Sequence, residues 1–292
     1  MRETRGDKIL NVFNYVLLAL AGLVCILPVV NVFATAFSDS VAVESGQVGL
    51  WPVNPTLDSF KLLIKGTMAF KAFGNSVVIT LVGTTFSMLM TIAAAYPLSK
   101  SYFVLNGFFT KAIVFTMLFS GGMIPSYIVI QKFGLIDNYA ALWLPAAIST
   151  YNMLIMRTFF HNIPAEIEEA AIIDGCGELR LMWGIYLPLS VPVIATLTLF
   201  YGVAHWNAFM SVLLYINDPA KQNLSVLVQQ MIKSMNVLNN EIINANPEDL
   251  KAVTTAGIRA SGVVVMVLPM LAVYPVLQKY YVKGIMLGSV KG

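Results

Sequence analysis

His161 and His205 are the only histidines among 292 residues, so neither an HExxH pair nor a histidine metal cluster can be assembled. No Gly-Lys dipeptide occurs, which removes the GxxxxGK[ST] phosphate loop and with it any expectation that this chain hydrolyses ATP. The two cysteines, Cys25 and Cys176, form no CxxC and no metal spacing. Cys25 lies in an apolar run and Cys176 in a polar connection, so no disulfide is expected. Carboxylates gather at Glu166, Glu168, Glu169 and Asp174, but between apolar runs rather than in a pocket-forming segment. Paired-carboxylate catalysis therefore has no support. We expect no enzyme activity, no catalytic residue, no metal and no cofactor in this chain.

The same carboxylates suit a different task. Pro164 fits a first helical turn, and Glu166, Glu168 and Glu169 follow it, where negative charge favours the positive end of the helix dipole. Gly175 fits the left-handed stop. A short helix over Ala165–Asp174 is expected, outside any bilayer. It would expose Ala170, Ala171, Ile172 and Ile173, and an exposed apolar patch with small residues suits a partner surface. An ordinary amphipathic loop helix is the alternative.

The elements around this loop follow from composition. The chain is 58% hydrophobic and 11% charged, with a net charge of +3 and a mean hydropathy of +0.75. Soluble domains carry roughly 25% charged residues, so this chain cannot cover a water-facing surface. The small positive excess is spread along the chain and points to no nucleic acid. Apolar runs long enough to cross a core of about 30 Å can be drawn at 9–37, 73–98, 108–130, 139–160, 189–216 and 259–281. These are expected to be six transmembrane helices in one domain, 1–292, because a bilayer offers no water to unpaired backbone groups. The first run is too long for a cleaved signal. Ten of the 18 Lys and Arg fall on one side against eight on the other, and six of those eight sit in two long connections, which count for less. Both termini are thus expected in the cytoplasm, as are the loop 161–188 and the tail 283–292.

The long outer connections carry their own patterns. Trp51-Pro52-Val53-Asn54-Pro55 reads as a stiff turn, and Thr56 as an N-cap before Phe60. Leu224, Val228, Met231, Met235, Leu238 and Ile242 recur at helical spacing, and Asn246-Pro247-Glu248-Asp249 reads as another helix start. Both could pack on the outer rim or receive a partner. Within the spans, Asn75, Ser120, Gln131, Ser149, Asn152, His205 and Asn207 are polar, and Trp206 offers a face for stacking on a sugar. Polar groups at membrane depth mark substrate paths; they also serve simply to hydrogen-bond a neighbouring helix. Gly121, Gly122 and Pro125 would loosen the third span.

A resemblance gathers these features. Glu169-Ala170-Ala171, three residues, Gly175, nine residues, Ile185, one residue, Leu187-Pro188 is similar to the EAA loop of ABC importer permeases. Asn75-Ser76, Ala93-Ala94-Ala95-Tyr96-Pro97-Leu98-Ser99 and the tail from Gln278 to Gly292 resemble the maltose-type carbohydrate branch. Phe119-Ser120-Gly121-Gly122-Met123-Ile124-Pro125 and Ala204-His205-Trp206-Asn207 resemble a sub-branch serving complex oligosaccharides.

The resemblance implies an all-α, type I ABC importer permease fold in the bacterial cytoplasmic membrane. It implies that Glu169, Ala170, Ala171, Gly175, Ile185, Leu187 and Pro188 form a coupling helix seated in a groove of an ATPase subunit. A second related permease, two ATPase subunits that bind ATP and Mg²⁺, and a solute-binding protein that delivers an oligosaccharide would complete the assembly. The tail residues Met286, Gly288, Val290, Lys291 and Gly292 would enter the seam between the ATPase subunits; a basic lipid anchor is the alternative for them. Two other classes compete. An ion-driven secondary transporter would place ionisable residues at mid-span, where this chain has almost none. A non-transporting assembly protein would use the loop helix only for docking.

Overall fold

The computed structural model describes residues 5–119, 121–233 and 254–289, and every regular element among them is helical. The helices are α1 (Arg5–Ala36), α2 (Ser40–Glu44), α3 (Asp58–Gly66), α4 (Ala69–Ser99), α5 (Asn106–Leu118), α6 (Met123–Lys132), α7 (Ala140–Trp143) and α8 (Thr150–His161). They continue as α9 (Ala165–Ile173), α10 (Glu178–Leu181), a π-helical turn Met182–Tyr186, α11 (Leu187–Leu189), α12 (Val191–Trp206), α13 (Met210–Tyr215), a 3₁₀ turn Pro219–Lys221, α14 (Leu224–Lys233) and α15 (Thr255–Ser289).

Among the described residues three helices are long and apolar enough to cross a membrane: Leu10–Ala36, Ala69–Ser99 and Thr255–Val273. This is fewer than the six continuous spans expected. The run 108–130 divides into α5 and α6, inclined at 115°. Gly122 at φ +85° leads into α6, a conformation glycine adopts without steric cost. The run 139–160 is the four-residue α7 and the twelve-residue α8, with Ser149 capping α8 through its Oγ. The run 189–216 is α12, bent by 82° from the preceding helix and followed after Asn207 by the short α13. Counting each bent pair as one span gives up to five. In the last described stretch α15 carries residues 283–289 on as helix. Of the tail positions, Met286 and Gly288 lie on this helix; Val290, Lys291 and Gly292 lie outside the described residues, as do Ser120, Met235, Leu238, Ile242 and the Asn246–Asp249 motif.

The chain forms two compact units. The first holds residues 1–70 and 228–268. There α1 is apolar on every side and exposes Leu10, Phe13, Leu17 and Leu20, the surface of a helix made for lipid or for another chain. Its C-terminal end is tied down. Ser38 Oγ accepts from Val53 N at 3.0 Å, Thr56 N donates to Phe37 O at 2.9 Å, and the Phe37 and Phe60 rings lie 4.9 Å apart. The Trp51–Pro55 turn includes Asn54 at φ +47°. The helix after it begins at Asp58, two residues beyond Thr56, whose hydroxyl donates to Asp58 Oδ2 at 2.6 Å and accepts from Asp58 N at 3.2 Å. Ala36, Ala260 and Val264 form a small core.

The second unit holds residues 71–227 and 269–292. Its larger core joins Met88, Ala95, Tyr96, Met153, Met156, Phe160, Leu181, Tyr186, Leu197 and Tyr201. A second cluster gathers Ile79, Ile130, Leu142, Val212, Tyr215 and Ile216.

Candidate functional site

The second unit contains two candidate regions, and α4 contributes to both. The first is the loop around α9. Helix α9 opens behind Pro164 with Glu166 and Glu168 in its first turn. It closes with Gly175 N donating to Ile172 O and Cys176 N donating to Ala171 O, both at 2.9 Å. That pair of bonds is a Schellman closure, and Gly175 stands at φ +76° as it requires.

The two faces of α9 differ sharply. Glu169, Ala170, Ile172 and Ile173 are exposed, Ile173 to 84%. Ala171 is 8% exposed and belongs to the larger core of the second unit. It does not face outward with Ala170 as the sequence suggested, because consecutive helical positions point about 100° apart. Ile185 and Leu187 likewise pack against this core, while Pro188 is exposed.

A buried polar cluster holds α9 in this orientation. Lys100, one residue past α4, places its Nζ 2.6 Å from Glu168 Oε1, with side-chain exposures of 4% and 16%. The ammonium also lies 3.9 Å from the centre of the Tyr186 ring and 4.6 Å from that of Tyr96. Tyr186 Oη donates to Glu168 Oε2 at 2.7 Å, so both carboxylate oxygens are satisfied. Glu178, at the start of α10, accepts from Tyr102 and Tyr96 hydroxyls at 2.7 Å each. Those two bonds hold its carboxyl below the usual carboxylate range. Arg157 Nε donates to Leu98 O at 2.7 Å, and His161 Nδ1 lies 3.1 Å from Ser99 O. Removing one member of a buried ion pair costs about 3–5 kcal/mol, because the other charge stays buried alone.

Sequence reasoning did not bring Lys100, Glu168, Glu178, Tyr96, Tyr102 and Tyr186 together into one cluster. Lys100 reads as an interfacial cation at the end of a span. The position of Glu168 beside the Glu169-Ala170-Ala171 run was the available signal.

The second region is a cavity of about 1260 Å³ bounded by α7, α8, α12 and α13. Among the polar candidates, Ser149, Asn152, His205 and Asn207 line it, beside Tyr151, Phe200, Tyr201 and Phe209. Tyr201 Oη pairs with Thr91 Oγ1 at 2.7 Å and accepts from Ser149 N at 2.9 Å. His205 Nε2 lies 3.3 Å from Ser87 Oγ, which donates to Ala146 O at 3.0 Å. A site this apolar with a few fixed hydroxyl and amide groups suits an organic ligand with aromatic-facing and polar edges.

The other candidates fall elsewhere. Asn75 donates from Nδ2 to Ala220 O at 3.0 Å and Gln222 O at 2.8 Å, and Ser76 Oγ accepts from Leu224 N at 2.9 Å. Both therefore anchor residues 220–224 to α4. Trp206 is buried edge-on to Phe73 with centroids 5.9 Å apart, away from the cavity lining. Gln131 is exposed on α6. No group of three His, Cys, Asp or Glu side chains able to hold a metal occurs among the described residues.

Residues 1–286 match the protein family described as Binding-protein-dependent transport system inner membrane component. Protein LplC of Bacillus subtilis is 40% identical over 295 residues, covering 100% of this chain and 98% of that protein. The polygalacturonan/rhamnogalacturonan transport system permease protein YtcP of the same organism is 38% identical, covering 98% and 99%. A crystal structure of a bacterial ABC transporter involved in the import of the acidic polysaccharide alginate contains a chain that superposes with a TM-score of 0.87 at 29% identity, covering 96% of this chain and 99% of that one.

Proposed function

The chain belongs to the family of binding-protein-dependent transport system inner membrane components, permeases of ABC importers rather than enzymes, and on that premise we propose that it passes oligosaccharides delivered by a solute-binding protein. The substrate class is supported by a relative whose name specifies polygalacturonan/rhamnogalacturonan transport and by the alginate importer. It is also supported by the aromatic and amide lining of the cavity, since hydroxyl-rich rings combine apolar faces with polar edges.

In this reading α9 is the coupling helix. The observation that carries it is its divided surface: Ala171 is committed to the permease core, while Glu169, Ala170, Ile172 and Ile173 stand outside. An apolar pair on a water-facing loop needs a cover, and an ATPase subunit with an apolar, basic-edged groove supplies one. Two such ATPase subunits carry ATP and Mg²⁺, and a second related permease completes the path. Six membrane crossings, with the two bent pairs counted as single passes and α7 with α8 as the sixth, put both termini, the loop 161–188 and the tail 283–292 in the cytoplasm. The apolar flank of α1 then faces lipid or the sister permease. The tail positions Met286, Gly288, Val290, Lys291 and Gly292 contact the ATPase pair.

The test is uptake in proteoliposomes by the complete transporter. Stimulation of ATP hydrolysis by a binding protein loaded with one of a panel of oligosaccharides, with uptake insensitive to ionophores, is the expected result. Uptake that needs an ion gradient and no ATP would identify a secondary transporter. Failure to transport any sugar with any binding protein would leave only an assembly role.

A further inference from the structure

The Lys100–Glu168 pair takes no part in the exposed surface of α9, since both side chains turn inward. A buried ion pair is a weak stabiliser; matched apolar residues often give a more stable protein. What this pair supplies is orientation. Glu168 has one oxygen on Lys100 and the other on Tyr186, and the ammonium is enclosed by two aromatic rings. With both oxygens fixed, the first turn of α9 is tied to Lys100 and Tyr186, while Ala171 is held separately by the apolar core.

Lys100 follows directly on α4, and α4 also bonds two residues of the cavity wall. Thr91 holds Tyr201, and Ser87 holds His205 and Ala146 O. Ser87 and Lys100 are 13 positions apart, about 20 Å along a helix. One rigid element thus grips the loop at its end and the cavity wall at its middle.

We propose that Lys100 and Glu168 are positioning residues for energy coupling, clamping α9 to α4 so that the coupling helix and the cavity wall move as one body. This rests on the reading of α9 as the coupling helix.

The experiment uses the complete transporter in proteoliposomes with Lys100→Met, Lys100→Arg, Glu168→Gln and the double variant Lys100→Met/Glu168→Met. The double variant removes both charges together and is the one expected to fold best. ATPase subunit retention, stimulated hydrolysis and uptake per ATP are measured. The expected result is normal retention and continued hydrolysis, with uptake per ATP reduced about fivefold or more in Lys100→Met and in the double variant. Lys100→Arg should recover at least half of the lost uptake per ATP, which a variant that merely filled space would not. Wild-type uptake per ATP in the double variant overturns the proposal. Loss of the ATPase subunits from it also does, since the pair would then be a docking scaffold. Ile173→Asp serves as the control for the underlying reading. If it keeps its ATPase subunits, the assignment of α9 itself fails; if it loses them while the double variant transports normally, only the clamp fails.

Discussion

Gly83 and His205 touch: a Cβ built on Gly83 would lie 2.9 Å from Cε1, Nδ1 and Nε2 of the His205 ring. The imidazole therefore lies flat against the bare backbone of α4 and is held there by Ser87 on the next turn. Gly83→Ala must push the ring toward the cavity, an overpacking that costs roughly 1–3 kcal/mol. The thermal midpoint of the purified subunit in detergent should fall. In Gly83→Ala/His205→Ala the loss should be smaller than the sum of the singles, because the two residues share one contact. Strict additivity would mean that the ring can move away freely.

Ala170 and Ala171 are adjacent in sequence and opposite in exposure. Ala171→Leu should lower the stability of the permease alone by about 1–3 kcal/mol, since it overfills the core. Ala170→Leu should leave that stability unchanged and reduce retention of the ATPase subunits. Equal melting temperatures for both variants would contradict the packing of Ala171.

Asn75 is an anchor in the structure, although its place at the start of an apolar run suggested a substrate contact. Asn75→Ala leaves the Ala220 and Gln222 carbonyls without their donor, a cost of about 1–3 kcal/mol. The expected signature is a lower melting temperature with the KM for uptake unchanged. A raised KM at unchanged stability would return Asn75 to the substrate path.

Orientation has a direct readout. In a background with Cys25 and Cys176 replaced by Ser, Asn217→Cys and Gly177→Cys place single thiols at exposed positions on opposite sides of the proposed topology. A membrane-impermeant maleimide added to intact cells should label the first and spare the second. The reverse pattern would invert the topology.

The parts of this fold that a sequence displays are those encoded by contiguous apolar length or by local backbone chemistry. The run 9–37 became α1, and 73–98 lies inside α4, because each is long and apolar enough to stay helical through its internal proline, Pro28 or Pro97. Gly175 was legible as a stop because the demand for positive φ is local. The breaks were less visible. Ser149 caps α8 and Asn207 ends α12 within runs whose average hydropathy stays high, so 139–160 and 189–216 look continuous when they are not. The clamp on α9 was out of reach for another reason. Lys100 and Glu168 are 68 positions apart, and no periodicity links them. Only the packing that brings α4 beside α9 makes a surface-type lysine a buried one. The division of α9 into inner and outer faces was hidden similarly, since Ala170 and Ala171 are chemically alike.

The claim on which the account depends most is that the outer face of α9 seats an ATPase subunit. Ile173 is its most exposed large apolar residue and makes no contribution to the permease core. Ile173→Asp, expressed with the partner permease, the ATPase subunits and the binding protein, can be purified through a tag on this chain and the bound ATPase measured. The account predicts a normal yield and melting temperature for the permease pair, with ATPase retention reduced about tenfold or more, the loss of an apolar anchor from an interface centre. Full retention of the ATPase with normal stimulated hydrolysis would contradict it.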